Sequence, residues 1–239
     1  MMIKTEAIVL RSIPYGESSI ITTIFTRQQG LKTFLVRAGK GAKGQAKSNL
    51  FKPLNLVVID YFQKENKSIQ YLSDARLFYY YKSLNQDPVK ITSAFLMLEI
   101  LRNCLKEEEK NLDLYDFILK VLMEMDTESR TVFAQLSWFL LHLTRFVGFM
   151  PYADVRENCS SFYFDIESGR IEESTRGNDK IAELVYQFCT KSAEEAKDII
   201  IHKEERKALI LRIIKYYLHH IEGFQEPESL QIMEDVFRN

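Results

Sequence analysis

Several residue types are scarce in this chain of 239 residues. It has 9 Gly, 5 Pro, 3 Cys and a single Trp, which excludes collagen-like, low-complexity and disulfide-rich proteins. The cysteines Cys104, Cys159 and Cys189 are odd in number and far apart, so we expect no disulfide framework. No run approaches the roughly 18 apolar residues of a membrane span, and the first residues lack the apolar core of a signal peptide. We therefore expect a protein of the reducing cytoplasm.

Acidic residues are also missing from one long stretch. None lies between Ser18 and Ile59, where seven Lys and Arg occur. The formal net charge is -1, yet the residues before Tyr81 hold 12 basic and 5 acidic side chains, and the remainder holds 20 and 28. A near-neutral total thus conceals a basic segment followed by an acidic one. Such asymmetry indicates a charged partner for the basic segment.

The first 80 residues have the pattern of short β-strands. Apolar or β-branched runs at 5–11, 18–26, 31–37, 54–62 and 69–78 are separated by turn residues. Five short strands predict a small barrel, and a five-stranded barrel of this length is typical of the OB-fold, which commonly binds oligonucleotides. Residues 38–47 hold three Gly, three Lys and no large apolar residue. We expect this segment to be an exposed loop.

From residue 87 onward the apolar spacing is that of amphipathic helices. Residues 150–178 interrupt it with alternating Phe162, Phe164 and Ile166 and a Ser168–Gly169 turn, which predicts a loop or hairpin insert. We therefore predict an α+β protein with two domains. Residues 1–80 form a five-stranded OB-like β-barrel that binds DNA, and residues 81–239 form an α-helical bundle with a small non-helical insert at about 150–178.

The basic stretch supplies the candidate binding residues. Cations without nearby carboxylates create a strong positive field, and each one that meets a phosphate releases a counterion. Lysines of a merely solvated loop would instead be mixed with acids. Aromatic residues interleave with these cations, and one or two of them could stack on bases: Tyr15, Phe25, Phe34, Phe51 and Tyr61. The alternative is that Phe25, Phe34 and Tyr61 fill the barrel core. The candidate DNA contacts are Arg11, Arg27, Lys32, Arg37, Lys40, Lys43, Lys47 and Lys52.

Motifs for enzymatic chemistry are missing from the sequence. The segment Gly39–Gly44 lacks the spacing of a phosphate-binding P-loop, since no Lys-Ser or Lys-Thr follows in register. No Ser/His/Asp or Cys/His arrangement stands out, and His142 lies in an apolar helix, where a core histidine is expected. We therefore expect that the protein is not an enzyme and that it has no catalytic residues and no cofactor.

Several short motifs resemble a known family when they are taken in order. They are Ile8–Leu10, Tyr15–Ser18, the basic glycine-rich segment after Val36–Arg37, Tyr71–Leu77, and Tyr217–His220 with the following Ser229–Leu230. Their order and spacing resemble the RecO family of bacterial recombination mediators over most of the chain.

The resemblance implies a fold, a function and partners. The family has an N-terminal OB domain and a C-terminal helical domain and is not enzymatic. Its members bind single- and double-stranded DNA and anneal complementary strands. With RecR they help to load RecA onto DNA coated by single-strand DNA-binding protein, whose acidic C-terminal tail they contact. The resemblance therefore also implies that the protein is cytoplasmic and associates with the nucleoid.

The resemblance departs from the family pattern at a metal site. Many members carry a four-cysteine zinc site in the insert, but residues 149–170 contain only Cys159 and no His. Structural zinc needs four such ligands, so we predict that no metal is bound. Packing would then hold the insert, through Phe162, Tyr163 and Phe164.

A second basic region lies on the last long helix, with Lys203 at its start. It is a candidate site for the acidic tail of the partner protein, while pairing with neighbouring glutamates is the alternative. A further alternative for the whole protein is an interaction adaptor whose barrel binds another protein without binding DNA. The candidate tail contacts are Arg206, Lys207, Arg212 and Lys215.

Overall fold

The structure is a computed structural model of the whole chain. It describes residues 1–37, 39, 41–64, 67–105, 109–128, 131–156, 158–175 and 177–237, without the side chains of residues 43 and 234–237. The chain divides into two compact units: Met1–Lys82 with Leu105–Met123, and Ser83–Cys104 with Glu124–Asn239. In the described residues, no helix is both long enough and apolar enough to span a membrane.

Five strands of the first unit close into a barrel in the order β1-β2-β3-β5-β4. All neighbouring strands are antiparallel except β3 and β5, which are parallel. The predicted OB-like barrel is therefore confirmed. The first strand is longer than predicted because its start pairs with β4 and its end pairs with β2. The strands are β1 (Met2–Tyr15), β2 (Ser19–Thr26), β3 (Gly30–Arg37), β4 (Leu56–Phe62) and β5 (Ile69–Leu77).

The interior of the barrel is filled by alternate residues of the strands, as the period of two requires. Phe34 and Tyr61 meet edge to face with their ring centroids 5.0 Å apart, and Phe51 packs in the same buried cluster. These three aromatic side chains and Phe25 are buried. The alternative that Phe34 and Tyr61 fill the barrel core is confirmed, but it is wrong for Phe25, which is buried outside that cluster on the other side of its strand. Tyr15 is the exposed member of the predicted stacking set.

The segment predicted as a loop after β3 instead contains a helix, α1 (Gly41–Asn49). Alanine, lysine and glutamine are good helix formers, and their propensity outweighs the glycines here. Leu50 and Phe51 follow the helix directly and pack on the barrel core, which anchors its end. The expectation of an exposed loop across 38–47 was therefore wrong for residues 41–47.

A helix from the middle of the sequence also belongs to the first unit. Residues up to Met123 of α3 (Leu112–Thr127) are part of it. The Asn111 side chain accepts a hydrogen bond from the Leu114 amide at 2.9 Å and so caps the helix start. Tyr115 of α3 is buried against Phe25 of β2, with ring centroids 6.1 Å apart.

The second unit is mainly helical, as predicted. Ser192 and Glu195 form a capping box at the start of α6 (Ala193–Ala196). Asp179 caps α5 by accepting hydrogen bonds from the amides of Ile181 and Ala182. The helices are α2 (Pro88–Cys104), α4 (Val132–Phe146), α5 (Lys180–Thr190), α6 (Ala193–Ala196), α7 (Lys203–His220) and α8 (Ser229–Phe237), together with the end of α3.

The insert of the second unit forms a small three-stranded sheet. Strands β7 (Phe162–Asp165) and β8 (Arg170–Glu173) make the predicted hairpin, and β6 (Tyr152–Asp154) pairs in parallel with β8. Phe162 stacks on Tyr186 with ring centroids 4.6 Å apart, and Phe164 packs on Tyr216 at 5.1 Å. Two of the three aromatics predicted to hold the insert do so. The third, Tyr163, is 49% exposed because it faces the other side of its strand.

A buried lysine links the start of the second unit to the end of α3. Lys90 of α2 is fully buried, and its Nζ donates hydrogen bonds to the Ser83 hydroxyl at 2.6 Å and to the Asp126 carbonyl at 3.0 Å. The Asp126 carboxylate accepts from the amides of Ser83 and Leu84, each at 2.8 Å. These bonds satisfy a charge that would be costly to bury alone.

Candidate nucleic-acid interface

One side of the barrel carries three rows of neighbouring residues across the strands. The middle row runs Ile13–Ile21–Leu35–Tyr71 through β1, β2, β3 and β5. On either side lie the rows Arg11–Thr23–Thr33–Ile69 and Tyr15–Ser19–Arg37. We call these eleven residues the open face.

The open face points away from the barrel core. The residues that alternate with it face inward: Phe34 and Val36 are buried, and the Ser12 hydroxyl donates to Thr22 Oγ1 at 2.8 Å and to the Phe51 carbonyl at 2.5 Å. Side chains on adjacent strand positions point to opposite sides. All eleven residues of the open face are accordingly exposed or half-buried.

The chemistry of the open face suits a negatively charged, partly apolar ligand. Its middle row is apolar, with Ile13 and Tyr71 each 41% exposed. Arg11 and Arg37 lie in the flanking rows, and none of the eleven residues is acidic. Cations beside an exposed aromatic ring are the combination by which single-stranded nucleic acid is bound.

Two cations lie near the ring of Tyr71 at one end of the middle row. The guanidinium carbon of Arg37 and the Nζ of Lys67 are each 5.9 Å from the centroid of its ring. Neither cation has a carboxylate partner among the residues that the structure describes. The sequence reasoning missed Tyr71. The signal was available, because period-two alternation along β5 places Tyr71 outward and the buried Gln70 inward.

A cleft of about 480 Å³ adjoins the open face. It lies between the β1–β2 turn and the start of α1 and is lined by residues that include Pro14, Gly16, Ser18, Gly39 and Gly41. The Gly39 amide donates to the Ser18 carbonyl at 3.1 Å, which holds the two segments together. Gly16 has a φ of 63°, which the tight turn after β1 requires and which glycine adopts without strain.

The residues predicted to contact DNA do not lie together on one surface. Arg11 and Arg37 lie on the open face, Lys47 is half-buried on α1, and Lys52 is exposed beyond its end. Lys32 pairs with Ile24 and shares the strand side of the core residues Phe34 and Val36. Lys40 and the side chain of Lys43 lie outside the described residues.

Arg27 is compensated by carboxylates that are distant in the sequence. Its guanidinium pairs with Glu6 at 3.2 Å and with Asp116 of α3 at 3.1 Å. These carboxylates, Asp116 foremost, raise the pKa of Arg27. The guanidinium also lies 5.9 Å from the ring centroid of Tyr115, whose pKa burial raises. The absence of acids between Ser18 and Ile59 therefore does not leave Arg27 uncompensated.

The predicted tail contacts on α7 do not form one strip. Arg206 lies over the ring of Phe133, 4.6 Å from its centroid, and Arg212 pairs with Asp179 at 3.1 Å. Lys207 and Lys215 are exposed. Residues six apart, such as Arg206 and Arg212, lie on different sides of a helix that has 3.6 residues per turn.

The insert offers little for metal binding in the part of the chain that is described. The Cys159 thiol donates to the Ser161 carbonyl at 3.2 Å. Within the described ranges, no group of three or more His, Cys, Asp or Glu side chains is arranged to hold a metal ion. His142 stacks on Trp138 and contacts the Phe188 carbonyl through Nε2 at 3.0 Å, and burial lowers its pKa.

The barrel and its open face define the class of this protein. It is an OB-fold protein with an attached helical unit, and OB barrels commonly bind oligonucleotides or oligosaccharides on a sheet face. The chain belongs to the RecO family of DNA repair proteins. Residues 1–81 match the family model described as Recombination protein O N terminal, and residues 85–229 match Recombination protein O C terminal.

Curated relatives match over almost the whole chain. A DNA repair protein RecO of Christiangramia forsetii is 28% identical over 243 residues, which are 99% of this chain and 100% of the relative. Proteins of the same name from Flavobacterium psychrophilum and Bacteroides fragilis are 29% and 27% identical, again over 99% of this chain and 100% of each relative. These similarities extend through both units.

Proposed function

We propose that this protein is a non-enzymatic recombination mediator that binds single- and double-stranded DNA through the open face. It anneals complementary strands and, with RecR, helps to load RecA onto DNA coated by single-strand DNA-binding protein. The observation that carries the proposal is a face with exposed cations, an exposed aromatic ring and no carboxylate. Membership of a DNA repair family supports it.

The electrostatic argument concerns phosphate contacts. Arg11 and Arg37 on the open face, with Lys67 beside Tyr71, can each neutralise a phosphate. Each contact with a single strand releases about 0.7 of a counterion, so affinity falls as salt rises. Phosphate contacts also carry no sequence information, which suits a protein that must act on any damaged DNA.

The helical unit is the proposed contact for protein partners. Lys207 and Lys215 on α7 are exposed, and their positive charge would attract an acidic peptide such as the tail of single-strand DNA-binding protein. Arg206 and Arg212 have contacts within the unit, so their role would be to fix α7 rather than to reach the tail directly. Such a protein would act at the nucleoid in the cytoplasm.

The adaptor alternative also has an observation in its favour. The apolar middle row of the open face, Ile13–Ile21–Leu35, could pack against another protein instead of a nucleic acid. That contact would be stable at high salt, because apolar burial does not depend on ionic screening.

The test is annealing of complementary strands coated with the single-strand DNA-binding protein of the same organism. We expect faster annealing with the wild-type chain than without it, and loss of that acceleration when Arg11 and Arg37 are both changed to Gln. Annealing at the spontaneous rate, or a complex with a partner protein that forms without DNA and is insensitive to salt, would favour the adaptor.

A further inference from the structure

We infer that Tyr71 stacks on an unpaired base and thereby makes the open face selective for single strands over duplex. The inference rests on the proposed function, since it assigns a ligand subsite within the same face. Arg37 and Lys67 are the cations that flank the base, each 5.9 Å from the centroid of the Tyr71 ring.

The position of Tyr71 is fixed by its strand. It pairs with Leu35 across the parallel β3–β5 register, in the middle row of the open face. Its ring is 41% exposed, so one part of it packs on the sheet while another part is available to a ligand. A base needs such a flat, held ring, because a freely rotating side chain would lose entropy on stacking.

The position of Lys67 is fixed by a buried neighbour. Gln70 accepts a hydrogen bond from the Lys64 amide at 2.9 Å and donates to the carbonyls of Lys64 and Lys67 at 2.9 and 2.5 Å. The Gln70 side chain therefore holds the backbone at Lys64 and at Lys67 to the start of β5. Lys67 is presented beside Tyr71 by a constrained backbone.

The two cations are close enough to the ring to contact phosphates next to the stacked base. A distance of 5.9 Å is near the outer limit for an attractive cation–ring contact, so little is lost when each cation turns to a phosphate. Charge-assisted contacts to phosphate are stronger than the contacts that they would replace. The Tyr71 ring could then stack on the base.

Only a single strand can use all three groups. Bases in a duplex are stacked and paired in its interior, and they are reached from a flat face only by unstacking. A duplex would meet the cations through its phosphates and would leave Tyr71 without a partner. The ring therefore adds affinity for single strands alone, while Arg37 and Lys67 add affinity for both forms.

The experiment compares Tyr71→Ala and Tyr71→Phe with wild type on three ligands: an oligothymidylate, an abasic strand of the same length, and a duplex. Stacking of one base contributes about 1–3 kcal/mol, so we expect Tyr71→Ala to weaken oligothymidylate binding by about 5- to 150-fold. Binding of the abasic strand and of the duplex should change less than 2-fold, and Tyr71→Phe should behave as wild type. Tyr163→Ala is the matched control, an exposed strand tyrosine of the insert.

Other outcomes would contradict base stacking at Tyr71, the nature of the ligand, or DNA binding itself. Equal weakening on all three ligands, or no change on oligothymidylate, would refute base stacking at Tyr71. Competition by oligoglutamate as effective as that by oligothymidylate would show that the site takes an acidic peptide instead. Wild-type protein that binds none of the three ligands would refute the proposed function itself, which separates that failure from failure of the stacking subsite.

Discussion

Gly169 in the turn of the insert offers a perturbation whose cost can be worked from the structure. Its φ is 73°, and a Cβ at this position would overlap the hydroxyl of Tyr216. That hydroxyl is buried and donates to the Phe149 carbonyl at 2.5 Å. Gly223 has nearly the same φ of 72° but open space around its Cβ position. The two glycines therefore separate backbone strain from steric overlap.

The expected losses of stability follow from the backbone strain and from the steric overlap with Tyr216. A left-handed backbone costs a non-glycine residue about 1–2 kcal/mol, which applies to Gly169→Ala and to Gly223→Ala alike. Displacing the Tyr216 hydroxyl from its acceptor adds about 1–3 kcal/mol for a buried group left unpaired. We expect the free energy of unfolding to fall by about 2–5 kcal/mol for Gly169→Ala and by about 1–2 kcal/mol for Gly223→Ala.

A double-mutant cycle in urea isolates the overlap. Without the hydroxyl, the nearest Tyr216 atom to the new Cβ is the ring Cζ at 3.4 Å, close to ordinary contact. Gly169→Ala should therefore cost only the strain of about 1–2 kcal/mol when it is made in a Tyr216→Phe background. An equal cost of Gly169→Ala in both backgrounds would refute the reasoning.

Three further predictions concern buried and paired groups. Lys90→Ala should lower the free energy of unfolding by about 2–5 kcal/mol, because it empties a buried site and removes a donor to the Ser83 hydroxyl and the Asp126 carbonyl; a urea midpoint equal to that of wild type would contradict this. Burial raises the pKa of the half-buried Cys189 thiol to about 12, so iodoacetamide should modify Cys189 much more slowly in the folded protein at pH 7 than in urea. Equal modification rates with and without urea would show that Cys189 is accessible. Arg27→Gln should weaken DNA binding less than Arg37→Gln in a salt titration, because Glu6 and Asp116 already neutralise Arg27; equal losses would contradict its structural role.

The barrel was predictable from the sequence because its strands carry strong local signals. Runs of β-branched residues bounded by turn residues marked each strand, and the mid-insert turn at Ser168–Gly169 marked the hairpin of β7 and β8. The helix α1 was not predicted because its glycines and lysines resemble a loop. Its stability comes partly from Phe51, which enters the core just beyond its end.

The candidate site was only partly predictable, since it depends on cross-strand neighbours. Charge counting along the sequence found Arg11 and Arg37 but treated Arg27 as equivalent to them. Asp116 lies 89 residues further along the chain, so no window of sequence could show that it pairs with Arg27. Alternation along β5 is enough to place Tyr71 outward, but only the parallel β3–β5 pairing shows that it lies beside Arg37.

The central claim is that the open face, rather than the overall charge of the protein, binds DNA. The most direct test is the salt dependence of single-strand affinity for an Arg11/Arg37/Lys67→Gln triple variant and for a Lys203/Lys207/Lys215→Gln control that removes the same charge from α7. At about 0.7 per phosphate contact, the slope of log affinity against log salt should become shallower by about 2 in the first variant. The slope of the control should match wild type, and equal changes in the two variants would contradict the claim.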